Sequence, residues 1–364
     1  MRKTAYPIHS LREAKMTYRG SGSARTISRR LFLKSVIAVA VVAVAGYGIF
    51  EVTKPPPMPT PTPTTPTPTP AQTPTPTPTR TPTLTQPVVV SIVKGTPATG
   101  RRALIEKALE LIGGIQSTLP SGSRVLVKPN VAFYARDATT EPDVVASITE
   151  IVRETSPEAL IVGDSSVRGY DTTTAFKSSG IAEAVKNIGV ECRSLAEDSV
   201  EAIDIPNGVT IRKVSTYRTV RESTFIISVP KLKRHGSTEV TISLKNMIGV
   251  VTDDEKGRFH RDGINQSIAD LNSTLKPNLT IIDATRVMTE RGPTGGKMVE
   301  LNTIMASRDP VAADLIAAEV LFGLEGKSSP NDAADGIVHI QKAAELNVGS
   351  ADRSKIKVLE ATLD

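Results

Sequence analysis

The stretch PDVVASITEIVRETSPEALIVGD, residues 142–164, carries two hydrophobic periods in succession. Val144, Val145, Ile148, Ile151 and Val152 recur at the three-to-four spacing of one helix face. Pro142 suits a first helical turn, and Thr140 lies near the cap. ALIVGD (159–164) then forms a short, continuous apolar run closed by a carboxylate. A strand with one wet face alternates, whereas a continuous run is buried on both faces. An amphipathic helix leading into a doubly buried strand is the unit of a covered parallel sheet.

The same rhythm extends in both directions. VVVSIV (88–93), RVLVKP (124–129), TFIISVP (224–230), LTIIDA (279–284) and NTIMAS (302–307) read as strands. ALIEKALELI (103–112), stopped by Gly113-Gly114, and IAEAVKNI (181–188), stopped by Gly189, read as helices. The alternation predicts an α/β domain over residues 88–364, with a mostly parallel, helix-covered sheet. The stretch 205–223, which contains Asn207-Gly208, predicts an added antiparallel hairpin.

The formal charge of +6 belongs to the leader. Residues 1–54 hold ten Lys/Arg against two Asp/Glu, whereas from residue 88 onward 33 basic residues face 36 acidic ones. A duplex-binding surface needs the opposite balance, so nucleic acid is not an expected partner. Cys192 is the only cysteine, which rules out an internal disulfide or a multi-cysteine metal site within one chain. Its setting, VECRSL, reads as core rather than nucleophile.

SRRLFLK (28–34) followed by SVIAVAVVAVAGYGIF (35–50) has the basic region and apolar core of an export signal. It resembles the twin-arginine pattern S-R-R-x-F-L-K at every fixed position, with Arg29 and Arg30 as the pair. The resemblance implies the twin-arginine translocation machinery as a partner and an extracytoplasmic location. Ala43-Val44-Ala45 offers a cleavage site, which would give a secreted protein. The apolar run together with Leu31 and Leu33 nearly reaches a span of about 20 residues, so residues 1–53 are read as a retained membrane anchor. Residues 54–87 contain 14 Pro and 13 Thr in 34 positions, a composition that cannot bury a core. At about 3.1 Å per residue they make a stalk on the order of 100 Å long.

Polar residues gather where the predicted strands end. Lys128 and Asn130 close the 124–129 strand, Asp164 and Ser165 the 159–164 strand, and Asp283 the 279–284 strand. Lys231, Lys233 and His235 follow the 224–230 strand. Open parallel sheets bind ligands outside these carboxyl ends. His235 is a candidate proton-transfer group, since adjacent cations favour its neutral form. His260, in KGRFHRDG, has a similar basic setting. Lys245-Asn246 interrupts the apolar segment VTISLKNMIGV, and a lysine there needs either a carboxylate such as Asp283 or an anionic ligand. ERGPTGGKM (290–298) fails the phosphate-loop pattern at Arg291 and Met298, which leaves a turn or a weaker anion-binding concavity. Asp309-Pro310 reads as a helix cap, while Asp314, one turn later, is an unusual helix-interior residue.

In order along the chain, K-P-N (Lys128 to Asn130), G-D-S (Gly163 to Ser165), P-K-x-K-x-H (Pro230 to His235), K-N-x-x-G (Lys245 to Gly249), Asp283 with Met288 and Gly292-Pro293, and S-x-D-P-x-A-x-D (Ser307 to Asp314) resemble the family called domain of unknown function 362. Arg234 and Glu290 depart from its pattern. Some relatives carry a cysteine-rich ferredoxin-like segment that this chain lacks, so no iron–sulfur cluster is implied. The family name supplies no activity.

The resulting expectation is an exported, membrane-tethered protein, an enzyme acting on or with an anionic small molecule. His235, Lys231 and Asp283 are the catalytic candidates. Lys128, Asn130, Asp164, Lys233, Lys245 and Asn246 are the ligand-binding ones. Asp164, Asp283 and His260 are candidates for a divalent metal. The alternative is a non-catalytic solute-binding or structural surface module.

Overall fold

The computed structural model describes residues 87–364, so the export signal, the anchor and all but the last residue of the stalk lie outside the described residues. Among the described residues twelve strands are formed: β1 (Val88–Lys94), β2 (Arg124–Pro129), β3 (Ala159–Asp164), β4 (Glu191–Ser194), β5 (Val200–Asp204), β6 (Lys213–Tyr217), β7 (Phe225–Val229), β8 (Lys231–His235), β9 (Glu239–Thr241), β10 (Leu279–Thr289), β11 (Lys297–Ser307) and β12 (Ile356–Thr362). The main sheet runs β12-β1-β11-β10-β7-β2-β3-β4, and β8 and β9 attach beside β10. From β10 to β4 every neighbour is parallel. β11 runs antiparallel to both β10 and β1, and β12 pairs parallel with β1. The mostly parallel sheet is therefore as the apolar runs predict.

The helices Arg101–Leu111, Pro142–Glu154 and Ile181–Ile188 bury their apolar stripes in one cluster against β2, β3 and β7. The helices Ile264–Asn272, Pro310–Leu324 and Val338–Glu345 cover a second cluster with β10 and β11. Alternation along β2 assigns the faces: Val125 and Val127 enter the first cluster, and Leu126 enters a third beneath the β5–β6 hairpin. Helix Pro142–Glu154 is capped at Glu141 rather than Thr140, whose hydroxyl donates instead to Val229 O at 2.7 Å.

One sequence expectation holds with shifted bounds, one of two alternatives is met, and one expectation is corrected. The antiparallel hairpin exists, but its strands are β5 and β6; Asn207-Gly208 lies in the connection, and Arg218–Glu222 is a helix. Asp270 holds that connection by accepting from Val209 N, Thr210 N and Ile211 N at 2.7–3.0 Å. ERGPTGGKM lies at the turn joining β10 to β11, where Gly292 O accepts from Gly236 N. The segment after Pro230 is not a loop. It continues as β8, with Lys231 opposite Asp283 and Lys233 opposite Met288 of β10.

Among the described residues, no helix is long and apolar enough to cross a membrane.

Candidate functional site

β2, β3 and β7 end at the same edge because they are parallel neighbours. Here Lys128 and Asp164, 0% and 2% exposed, form an ion pair with 2.7 Å between Nζ and Oδ1. Burial pushes the Lys128 amine down and the Asp164 carboxyl up, each against the pull of its partner. Lys128 Nζ also donates to Asn246 Oδ1 at 3.1 Å and Pro129 O at 3.2 Å, which uses its three protons. Asp164 accepts in addition from Val131 N and Ser165 N at 2.8 and 2.9 Å. Asn246 returns a bond to Lys128 O and one to Ser228 Oγ. Gly249 lies against the pair so closely that a Cβ would overlap Asp164 Oδ1 and stand 2.7 Å from Lys128 Nζ. Contact, not backbone angle, demands glycine there.

Above this pair lies a cavity of about 280 Å³. Its wall includes Lys128, Asn130, Asp164, Lys233, His235, Lys245, Asn246 and His260, all named by the sequence reading. Arg168 and Lys256 add two further cations. Asp164, already paired, is the one carboxylate in the wall. Arg168 and His260 are exposed and mark the mouth.

Lys245 is half-buried, and no carboxylate stands within 4 Å of it among the described residues. Burial and the nearby Lys128 charge lower its amine to about 8. The carboxylate alternative for Lys245 fails, because Asp283 serves Lys231. Lys233 is buried and donates to Ala138 O; burial, Lys245 and Lys231 hold its amine well below the ordinary lysine range. His235 Nδ1 accepts from Ser237 N at 3.1 Å, so the neutral ring carries its proton on Nε2. Burial, Lys245 and Lys233 hold this imidazole down at about 2. Asn130 Oδ1, Ser166 Oγ and Thr241 Oγ1, also in the cavity wall, are buried without a hydrogen-bond partner. Buried polar atoms of this kind call for a ligand or solvent.

Lys231 and Asp283 do not line this cavity. Lys231 Nζ sits 2.7 Å from Glu141 Oε1 and 3.3 Å from Asp283 Oδ2, all three buried. Asp283 is further held by Glu141 N and by Thr285 N and Oγ1. This closed network ties helix Pro142–Glu154 to β8 and β10, and it leaves neither residue free for a reacting group. The metal candidates are not gathered either. Asp164 and Asp283 belong to separate ion pairs, and among the described residues no three His, Cys, Asp or Glu side chains form a metal-binding group.

The sequence reading missed Lys256 and Tyr217. Lys256 Nζ meets Ser165 Oγ and Ser166 O at 2.6 Å and Asp253 Oδ1 at 2.9 Å, and Tyr217 OH lies 3.1 Å from Ser165 Oγ. The signal for Lys256 was its position one turn before Phe259, which puts it on the buried face of a polar helix. Asp314, flagged as unusual, accepts from Ser243 N and Leu244 N at 2.8 and 2.9 Å. It anchors the start of the short helix Ser243–Asn246 that carries Lys245 and Asn246.

Comparison with known proteins gives a family and two distant likenesses of shape. The chain is 24% identical over 239 residues to a thylakoid-associated protein of Synechocystis sp., covering 60% of this chain and 69% of the relative. The lactate racemase apoprotein of Thermoanaerobacterium thermosaccharolyticum superposes with a TM-score of 0.42 at 11% identity, over 74% of this chain and 82% of that one. A Thermotoga maritima protein gives 0.39 at 12% identity, over 64% and 60%. At such scores neither likeness extends to chemistry. The model of the family described as domain of unknown function (DUF362) matches residues 125–319, more than half the chain and the span that carries the cavity lysines, and the chain belongs to that family.

Proposed function

We propose that the cavity binds an anionic small molecule, and that the protein is an enzyme acting on it outside the cytoplasm. One observation carries the reading: Lys233 and Lys245 line the cavity with no carboxylate partner among the described residues, and the one carboxylate in the wall already answers Lys128. Such an excess of buried positive charge is costly unless an anion completes it. The orphaned Asn130, Ser166 and Thr241 oxygens add acceptors or hydroxyl donors for a polar ligand. At about 30 Å³ per water the space holds on the order of nine waters, or a small metabolite of that size.

His235 favours an enzyme over a solute-binding module. Burial, Lys245 and Lys233 keep its imidazole unprotonated near neutrality. Held neutral, with Nδ1 occupied by Ser237 N, it can offer Nε2–H to a substrate oxygen as an uncharged electrophile. The Lys231–Asp283 pair serves as scaffold in this reading. The twin-arginine leader, the apolar segment and the stalk support export and tethering to a membrane. The Synechocystis relative is named as thylakoid-associated.

Titrating inorganic phosphate into the purified full-length protein should give a one-site isotherm. Lys245→Ala should abolish it, and His235→Gln should retain it. A flat wild-type titration contradicts the reading. Replacing Arg29 and Arg30 together by Lys should leave the protein inside the cell; normal export would remove the twin-arginine part alone.

A further inference from the structure

The anion reading leaves unused three aromatic side chains beside the cavity. Phe133 lines it, and Tyr170 packs edge-on against Phe133 with ring centroids 5.1 Å apart and planes at 90°. Tyr134 meets Tyr170 in a second edge contact, again at 5.1 Å. Tyr134 and Tyr170 are 48% and 40% exposed, whereas Tyr217, the other tyrosine among the described residues, is buried. Among the described residues, the remaining large apolar side chains left exposed are aliphatic and lie on other segments: Val200, Val209, Leu324, Val338 and Val358. The exposed aromatic surface of the described residues is concentrated at this one rim.

The rim is also held in place. Phe133 has a φ of 59°, a left-handed backbone that a bulky aromatic residue adopts only where its surroundings impose it. The preceding residues supply the constraint: Val131 N donates to Asp164 Oδ2 at 2.8 Å, and Ala132 N donates to Thr139 Oγ1 at 3.1 Å. The loop that aims Phe133 is thus fastened to the buried ion pair at the cavity floor. Tyr134 OH accepts from Asp171 N, which joins the two aromatic loops. An aromatic surface fixed in this way meets a ligand ring without losing side-chain freedom on binding.

We infer that the ligand is an organic anion bearing a flat ring, with its charged group at Lys245 and its ring against Phe133 and Tyr170. The inference rests on the anion reading and adds the substrate class to it. The size agrees: about 280 Å³ accommodates a monocyclic carboxylate or phosphate ester and is too small for a dinucleotide. Arg168, exposed at the same rim, offers a guanidinium that can stack on the ring or pair with a second charge.

The test is calorimetric titration of the full-length protein with two matched pairs: phenyl phosphate against methyl phosphate, and benzoate against acetate. The ring-bearing member of at least one pair should bind about tenfold tighter, equivalent to about 1.4 kcal/mol. Phe133→Ala and, separately, Tyr170→Leu should remove that advantage and leave the ringless member unchanged, which also shows that each variant is folded. Equal affinity within both pairs, with binding retained, overturns the ring inference and leaves the anion reading standing. An advantage that survives both substitutions overturns it too, since the ring then lies elsewhere. Binding of none of the four compounds overturns both readings.

Discussion

Asp164→Asn removes one charge from the buried pair at the cavity floor and leaves everything else about the same size. In the native protein the carboxylate answers Lys128 Nζ at 2.7 Å and two backbone donors, Val131 N and Ser165 N. Asparagine has one acceptor oxygen, so its amide must face at least one of these donors. Lys128 is left fully buried without a counter-charge. Losing one partner of such a pair costs about 3–5 kcal/mol. A domain of this size shifts by roughly 2–4 °C per kcal/mol, so the melting temperature should fall by on the order of 10 °C. Differential scanning calorimetry of wild type, Asp164→Asn, Lys128→Met and the double variant gives the full cycle. The double variant should be more stable than either single one, because no unpaired charge remains. A loss below about 1 kcal/mol in Asp164→Asn, or strict additivity in the double variant, would refute the reasoning.

His339 is fully buried with neither ring nitrogen hydrogen-bonded, and burial holds it down at about 3. The unfolded chain takes up that proton near pH 6.5, so His339 withdraws stability as pH falls below this value. His339→Leu should therefore stabilise the protein by about 2 kcal/mol more at pH 5 than at pH 8, by denaturant titration; an equal effect at both would contradict the assignment. Asp270→Ala strips the acceptor from Val209 N, Thr210 N and Ile211 N, and amide exchange should accelerate across residues 205–212 while β2 and β3 stay protected. Burial pushes the Cys192 thiol up to about 12, so iodoacetamide should leave it unmodified at pH 8 until the protein unfolds; rapid labelling of the native state would contradict this.

The buried parallel centre was legible in the sequence because nothing competes with its pattern. RVLVKP and ALIVGD are β2 and β3 residue for residue, and 142–154 and 181–188 are helices over those same residues. β8 was not legible. KLKRH places Lys231, Lys233 and His235 on alternate positions with Leu232 between them, and buried lysines mimic a loop when their partners are distant in sequence. Glu141, the nearest partner of Lys231, lies 90 residues away. The cavity set was legible as strand-end polar residues, but its internal division was not. Which lysines face the cavity and which are neutralised inside the scaffold depends on register between β8 and β10, and that sets Lys231 against Asp283. Asp314 was legible for a simple reason: a carboxylate inside a helix of alanines needs donors from elsewhere.

The central claim is that a cationic Lys245 holds an anion in this cavity, and a pH series of sulfate titrations tests it most directly, because sulfate keeps its charge throughout. Below its value of about 8 the Lys245 amine is protonated, and above it the charge is lost. His235, held near 2, contributes no change near neutrality. Sulfate affinity should be level from about pH 6 to 7.5 and then weaken toward tenfold per pH unit above about 8. Lys245→Arg, which keeps its charge, should stay level through the same range. Affinity that is independent of pH through 8 to 9.5, or that changes instead near the ordinary histidine value of about 6.5, would contradict the account.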